Sequence, residues 1–351
     1  MRFSYAESMT DPSFYGPLAR AAEEAGYDSM VIPDSICYPL HATSEYPYNP
    51  DGSREFLEDK PFLEPFSLIP ALGAVTSRLR FTTFVVKVPI RNPVLLAKQA
   101  TSTAVLTGNR LALGVGTSPW REDYEVLGVD WAGRGRRLDE SIAILRGLAS
   151  GDYFEYQGKA FTLPAVKIAP VPTEPIPVLI GGHSDAALRR AARLGDGWMH
   201  GGGDPADLPR LLARLAQFRR EAIAEGHSGE RRTPDQQPQP PATYAAPQAP
   251  SRAQPGEGAG GEWGGGQPPH AQGGSGGDRS PRGYEVHVIS LDAYTVDGVR
   301  RLEEQGVTDV IIGFRWPYVT GQDTEPLGRK LDSLRRFADD IIAKTRSSGG
   351  T

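Results

Sequence analysis

The chain has 351 residues, with 38 Lys and Arg against 43 Asp and Glu, and its net charge of −5 argues against a general nucleic-acid binder. Its single cysteine, Cys37, excludes an intrachain disulfide bond and any metal site built from several cysteines. No segment approaches the roughly 20 apolar residues of a membrane span, and the chain begins with a strand-like run rather than a signal peptide. We therefore expect a cytoplasmic protein with no nucleic-acid or membrane partner.

Strand-like and helix-like segments alternate along the sequence. Strands are predicted at residues 2–6, 28–32, 79–88, 110–115, 177–180, 197–200, 284–290 and 308–312. Helices are predicted at residues 12–25, 65–77, 93–106, 136–149, 185–194 and 296–305, from residue 204 onward, and near residues 327–344. Local signals agree with these bounds, since Gly26 follows the first helix and Pro93 opens another. Residues 152–176 are predicted to form an excursion of short strands and prolines.

Residues 228–283 interrupt the alternation. These 56 residues include 13 Gly and 10 Pro but no Leu, Ile, Val, Met or Phe. Such a segment buries too little apolar surface to offset the entropy lost on ordering, so it is predicted to be a disordered insert. It is either a passive solvated loop or a docking segment for a partner. Residues 1–227 and 284–351 then form one domain, whose last two strand–helix units follow the insert.

Eight strands that alternate with helices predict an α/β fold with a parallel sheet. Closure into a (β/α)8 TIM barrel, with the excursion after the fourth helix, is the economical arrangement. A doubly wound open sheet is the alternative. In a barrel, the functional residues lie at the carboxyl ends of the strands.

Two glycine-rich turns follow predicted strands. Gly181, Gly182 and His183 precede the N-terminus of a helix, where free backbone N–H groups suit a phosphate, although an ordinary turn has the same pattern. Gly116 and Thr117 lie in a turn where the backbone can pass close to a ring or a ribityl chain. Neither turn has the spacing of a Rossmann or Walker motif.

Two charged side chains stand where predicted strands end. Lys87 ends an apolar strand, where its charge is costly unless it meets an anionic group of a cofactor or substrate or extends to solvent. Asp34 either orients a substrate or cofactor hydroxyl or caps the loop of residues 33–61. The length and the aromatic residues of that loop suit a lid.

The six histidines show no metal-binding spacing, and the sequence has no nucleophile elbow. We therefore expect no metal site. A bound organic cofactor is expected to supply the chemistry.

Taken together, several segments resemble the luciferase-like monooxygenase superfamily, and in particular its coenzyme F420-dependent oxidoreductase branch. The matching segments are AAEEAGYD at residues 21–28, YPY at 46–48, DG at 51–52, IRNPVLLAKQ at 90–99, LTGNRL at 106–111, GVG at 114–116, RGRRLDE at 134–140, GG at 181–182 and GDGW at 195–198. The resemblance implies a homodimer of TIM barrels that hold a ring system at the carboxyl ends of the strands.

The resemblance also implies a non-prolyl cis peptide bond at Thr83–Phe84, behind the deazaflavin ring, and a cofactor phosphate at Gly181, Gly182 and His183. It places Asp34 near the ring. The candidate cofactor-binding residues are Asp34, Thr83, Phe84, Lys87, Gly116, Thr117, Gly181, Gly182 and His183.

The chain departs from its relatives at two positions. Ser35 stands where several F420 enzymes have a histidine. Pro119 aligns with the glutamate that acts as an acid in a sugar-phosphate dehydrogenase of the family, so a sugar phosphate is not expected as the substrate. Glu122 or His41 is the candidate replacement, and the candidate catalytic residues are Asp34, His41 and Glu122.

The predicted function is hydride transfer between coenzyme F420 and a small organic substrate. The alternative is a monooxygenase that uses reduced FMN and O2 and is supplied by a separate flavin reductase. A third interpretation is a barrel without catalytic activity that acts as a binding protein, with the insert as its docking arm.

Overall fold

A computed structural model describes residues 1–49, 51–226, 283–314 and 320–347, and the predicted insert at residues 228–283 lies outside them except for Gly283. The disorder and the domain boundaries predicted for the insert therefore stay predictions. No helix in the described part of the chain is long and apolar enough to cross a membrane.

Nine strand segments form one closed parallel barrel. They are β1 (Arg2–Ala6), β2 (Ser29–Ile32), β3 (Arg80–Thr83), β4 (Val86–Lys87), β5 (Leu111–Gly116), β8 (Val178–Gly181), β9 (Gly197–Met199), β10 (Glu285–Val288) and β11 (Asp309–Ile312). The order around the barrel is β3-β2-β1-β11-β10-β9-β8-β5-β4, and β3 also pairs with β5, which closes the sheet. Because β3 and β4 occupy one strand position, the barrel has the eight positions predicted from the sequence, and the open-sheet alternative is wrong.

Helices surround the barrel. They are α1 (Tyr15–Glu24), α2 (Pro65–Ala74), α3 (Pro93–Leu106), α4 (Arg121–Val126), α5 (Arg134–Leu148), α6 (Asp185–Leu194), α7 (Leu208–Ala224), α8 (Val296–Glu304), α9 (Leu327–Phe337) and α10 (Ala343–Ser347). The predicted excursion is an antiparallel hairpin of β6 (Phe154–Gln157) and β7 (Thr162–Val166), which follows α5, the fourth barrel helix. The predicted final helix is divided, because a wider turn at Ala338–Ile342 separates α9 from α10.

Successive residues of the strands pack on opposite sides of the barrel wall. In β1, Phe3 and Tyr5 belong to the large apolar cluster between the sheet and the helices. A second, small cluster contains Val31, Met199 and Ile311 from three strands. Because strand side chains alternate with a period of two, this second cluster lies inside the barrel.

A charged layer is buried near the amino ends of the strands. Glu285 lies 2.9 Å from Arg2 and 3.7 Å from Arg80, and its other contact is the His287 imidazole at 2.7 Å. Asp309 also contacts Arg2, at 3.4 Å. Buried charges of opposite sign stabilise this layer only as a set, because removing one partner leaves the other uncompensated.

We expect Glu285→Ala to lower the free energy of unfolding by about 3 kcal/mol, since it leaves two arginines without their shared carboxylate. The matched control is Glu221→Ala, which removes an exposed contact with Arg189 and should cost under about 1 kcal/mol. Urea denaturation of both variants measures the difference. Equal losses would show that the charged layer contributes no more than a surface ion pair.

Candidate functional site

The floor of the candidate site is the interruption between β3 and β4. A non-prolyl cis peptide bond joins Phe84 to Val85, one bond later than the predicted Thr83–Phe84 position. The turn at Val88–Ile90 separates β4 from α3, and the local sequence does not fix the position of the interruption to one residue. The Phe84 N–H donates to the Ile32 carbonyl at 2.7 Å, which ties the interruption to β2.

Val85 lies against two glycines of neighbouring strands. A Cβ atom on Gly116 would lie 2.8 Å from Val85 Cγ2, and one on Gly181 would lie 3.0 Å from Val85 Cγ1. On Gly114, a Cβ atom would overlap the Thr83 carbonyl oxygen. The predicted cofactor residues Gly116 and Gly181 therefore meet at Val85, and Thr83 lies against Gly114 of β5. Val85 was not among the predicted site residues, because nothing in the local sequence distinguishes it from the other apolar residues of the predicted strand.

Asp34 is buried and bound on both of its oxygens. Its Oδ1 lies 2.9 Å from Arg91 Nη2, and its Oδ2 accepts a hydrogen bond of 3.0 Å from the Lys87 backbone N–H. Arg91 also contacts Glu64 at 3.4 Å. Asp34 thus fixes β4 next to the end of β2.

Lys87 forms a buried ion pair instead of reaching solvent. Its Nζ lies 2.8 Å from Asp123 Oδ2, and the Ser118 hydroxyl donates to the same oxygen at 2.6 Å. Both charged side chains are less than a tenth exposed. This pair connects the floor to α4.

Glu122 binds the backbone of the loop between β2 and α2. Its Oε1 accepts hydrogen bonds from the Thr43 and Ser44 N–H groups at 2.8 and 3.1 Å. Burial acts to raise the pKa of Glu122, but hydrogen bonds, including those from these two residues, outweigh it and lower the pKa to about 2. Glu122 is therefore ionised at neutral pH. The His41 side chain is exposed on the same loop.

The turn between β8 and α6 forms a cradle, which we define as Gly181, Gly182 and His183 together with residues 201–203. Gly182 has φ +115°, a left-handed conformation that favours glycine, and its carbonyl accepts from Trp198 Nε1 at 2.9 Å. The Ser184 hydroxyl caps α6 by accepting from the Ala187 N–H at 3.3 Å. The other N–H groups of a first helical turn have no acceptor within the helix.

Two stacked histidines flank this cradle. His183 and His200 have ring centroids 4.6 Å apart and planes within 9° of each other. His183 Nε2 accepts from the Gly201 N–H at 3.1 Å, and His200 Nδ1 donates to the Ile289 carbonyl at 3.1 Å. Each neutral ring therefore carries its proton on Nδ1. Among the described residues, His200 Nε2 has no hydrogen-bond partner.

Burial lowers the pKa of both histidines. The pKa of His183 lies below its usual value, and burial together with the neighbouring His183 lowers the pKa of His200 to about 4. His200 was predicted only as the last residue of the strand at residues 197–200, because its stacking on His183 is a tertiary contact.

The remaining predicted residue, Thr117, faces α4. Its carbonyl accepts a hydrogen bond from the Tyr124 hydroxyl. Within the described ranges, no group of three or more His, Cys, Asp or Glu side chains is placed to hold a metal ion.

The chain belongs to the luciferase-like monooxygenase family, whose sequence model matches residues 4–244. The family agrees with the resemblance deduced from the sequence motifs.

Two relatives and one solved structure illustrate the range of similarity. An uncharacterised protein of Mycobacterium tuberculosis (strain ATCC 25618 / H37Rv) is 54% identical over 344 residues, which cover 98% of this chain and 100% of that protein. An F420-dependent glucose-6-phosphate dehydrogenase of Nakamurella multipartita is 31% identical over 216 residues, covering 59% of this chain and 58% of that enzyme. The coenzyme F420-dependent tetrahydromethanopterin reductase of Methanopyrus kandleri aligns over 98% of this chain and 99% of its own, with a TM-score of 0.62 and 12% identity, which shows a common fold.

We expect stability to fall as the pH falls from about 6.5 to about 4, because the unfolded chain protonates His200 at its usual pKa and the folded protein resists it. The loss from this residue is on the order of 3 kcal/mol. His200→Gln should flatten the dependence of unfolding free energy on pH in this range, whereas His41→Gln, at an exposed position, should leave it unchanged. Chemical denaturation at a series of pH values measures this, and an unaltered slope in His200→Gln would contradict the assignment.

Proposed function

We propose that this protein is an oxidoreductase that transfers a hydride between coenzyme F420 and a small organic substrate. The observation that carries the proposal is the cradle at the N-terminus of α6 beside the glycine-lined floor. The similarity to an F420-dependent dehydrogenase of Nakamurella multipartita supports the choice of cofactor.

The cradle has the donors that a phosphate needs. The first turn of α6 offers backbone N–H groups and the positive end of a helix. His183 adds an Nδ1–H donor, because its Nε2 already accepts from Gly201. Asp185, the one acidic residue of that turn, is paired with Arg214 at 2.6 Å, which offsets its negative charge.

The floor offers an apolar surface for a ring. Gly116 and Gly181 lack side chains where Val85 packs, so the backbone of three strand positions approaches the same surface. Asp34 and Lys87 hold this surface through their contacts with Arg91 and Asp123. These residues fit a planar cofactor whose phosphate end reaches the cradle.

When bound, coenzyme F420 supplies a ring carbon that donates or accepts a hydride. The chain orients that ring through Val85 and excludes water with the aromatic side chains of the loop after β2, where Tyr46 stacks on Trp120. Of the predicted catalytic residues, Asp34 and Glu122 are engaged in structural contacts, and we assign them orienting roles. Proton transfer by His41 stays a prediction.

The alternative is a monooxygenase that uses reduced FMN and O2, which the family's description favours. Such an enzyme would place its phosphate in the same cradle. The homodimer and the flavin reductase remain predictions from the sequence resemblance.

The first test is a fluorescence titration of the purified protein with coenzyme F420 and, in parallel, with FMN. Tight binding of F420 with weak binding of FMN is the expected result. Preferential binding of FMN would overturn the cofactor assignment in favour of the monooxygenase, and binding of neither would overturn the proposed function.

A charge placed in the helix cap tests the phosphate position. Ser184→Asp keeps a side chain that caps α6 but sets a negative charge at the proposed phosphate, so we expect cofactor affinity to fall by about tenfold or more. Ser184→Asn is the matched control, because it caps the helix with no charge and should bind as the unaltered protein does.

Thermal unfolding of the two Ser184 variants checks that both keep the fold. A phosphate-free riboflavin or deazariboflavin should bind both variants equally. Equal affinity of Ser184→Asp and Ser184→Asn for the phosphorylated cofactor would place the phosphate elsewhere.

A further inference from the structure

The strap, which we define as residues 43–49, belongs to the connection between β2 and α2, and one end of it is fixed to α4. Glu122 accepts the Thr43 and Ser44 N–H groups at 2.8 and 3.1 Å. The Ser44 hydroxyl in turn accepts from the Arg121 N–H at 3.2 Å. Three hydrogen bonds therefore anchor the strap beside the carboxyl end of β5.

Aromatic rings fix the middle of the strap. The Tyr46 ring stacks on Trp120 at 5.6 Å with planes 14° apart, and the Tyr48 ring meets Tyr46 edge-on at 5.4 Å. A turn shapes the same segment, since the Asn49 N–H donates to the Tyr46 carbonyl at 3.3 Å. The strap therefore has a defined path.

The far end of the strap reaches the cradle. The Tyr48 ring lies edge-on to His183, with centroids 5.2 Å apart. A Cβ atom on Gly201 would lie 2.7 Å from Tyr48 Cζ and 2.9 Å from its hydroxyl oxygen. The Tyr48 ring thus occupies the space that a side chain at position 201 would fill.

The anchors of the strap show where it lies on the barrel. Its first residues are fixed next to the carboxyl end of β5, and its last residues contact the loops that follow β8 and β9. Val85 of the floor packs against Gly116 of β5 and Gly181 of β8, on this same side of the barrel. The strap therefore runs along the side where the floor adjoins the cradle, and it ends on the cradle.

We propose that Tyr48 is a cofactor-binding residue that covers the cradle, and that the strap swings away from His183 and Gly201 whenever the cofactor enters or leaves. This inference rests on the proposed function. It adds a residue that contacts the phosphate end and a step that controls exchange.

The chemistry of Tyr48 matches that position. Burial raises the pKa of its hydroxyl, so the group is protonated at neutral pH and is able to donate a hydrogen bond to an anion. The Nδ1–H of His183 is a second neutral donor on the same cradle. Two neutral donors bind a phosphate without placing a fixed positive charge in a buried site.

Gly201→Ala tests the cover directly. Gly201 does not adopt a left-handed conformation, so alanine is compatible with its backbone, but the added methyl group displaces the Tyr48 ring. We expect association and dissociation of the cofactor both to accelerate by about tenfold, because the strap no longer closes fully. Stopped-flow fluorescence with coenzyme F420, or with FMN if that is the cofactor bound, measures both rates.

Gly328→Ala is the matched control. Gly328 lies in α9, and none of the described atoms lies within 4 Å of the position that its Cβ would occupy. Its rates should equal those of the unaltered protein.

Tyr48→Phe provides a second test with the ring retained. Loss of the hydroxyl should weaken binding of the phosphorylated cofactor by about fivefold to tenfold. Binding of the phosphate-free riboflavin or deazariboflavin should not change, since the hydroxyl is assigned to the phosphate end.

The outcomes separate this inference from the proposed function. Binding of neither F420 nor FMN to the unaltered protein would overturn both. Normal binding, with Gly201→Ala rates equal to those of Gly328→Ala, would overturn the strap movement and leave the proposed function standing. A Tyr48→Phe variant with unchanged affinity for the phosphorylated cofactor would overturn the role of the hydroxyl.

Discussion

The packing of Val85 against Gly116 and Gly181 is the interaction on which the rest of the site depends. It requires the third barrel strand to be interrupted, so that a side chain turns across two neighbouring strands. Asp34 and the Lys87–Asp123 pair then fix the second half of that strand from both sides. If any of these interactions were broken, the floor would no longer present one surface beside the cradle.

Carboxylates at the carboxyl end of the barrel hold nearby strands and loops by accepting hydrogen bonds from their backbone N–H groups. Asp34 binds the Lys87 N–H, and Glu122 binds two N–H groups of the strap. Outside the barrel, the buried Glu140 accepts from the Phe161 N–H in the turn between β6 and β7. Hydrogen bonds, including those from backbone donors, outweigh burial and lower the pKa of Glu122 to about 2. Glu122 is therefore suited to hold the strap at neutral pH and not to release a proton there.

The cradle is a fixed part of the barrel, whereas the strap that covers it is a loop. Burial lowers the pKa of His183 and of His200, so the cradle offers the His183 Nδ1–H and backbone N–H groups without a fixed positive charge. The strap lies on these donors through a single ring, Tyr48, next to a glycine. A small movement of one loop would thus expose the cradle while the barrel beneath it stays unchanged.

The sequence by itself determined the alternation of strands and helices and the bounds of α3 and α6, because periodicity and capping are local. It also located the glycine-rich turns after two strands, because the glycines themselves mark these turns in the sequence. Only the tertiary structure decided that β3 and β4 are separate, that Lys87 meets Asp123, and that Tyr48 reaches His183. Those interactions join residues far apart in the chain, and no local pattern encodes such contacts.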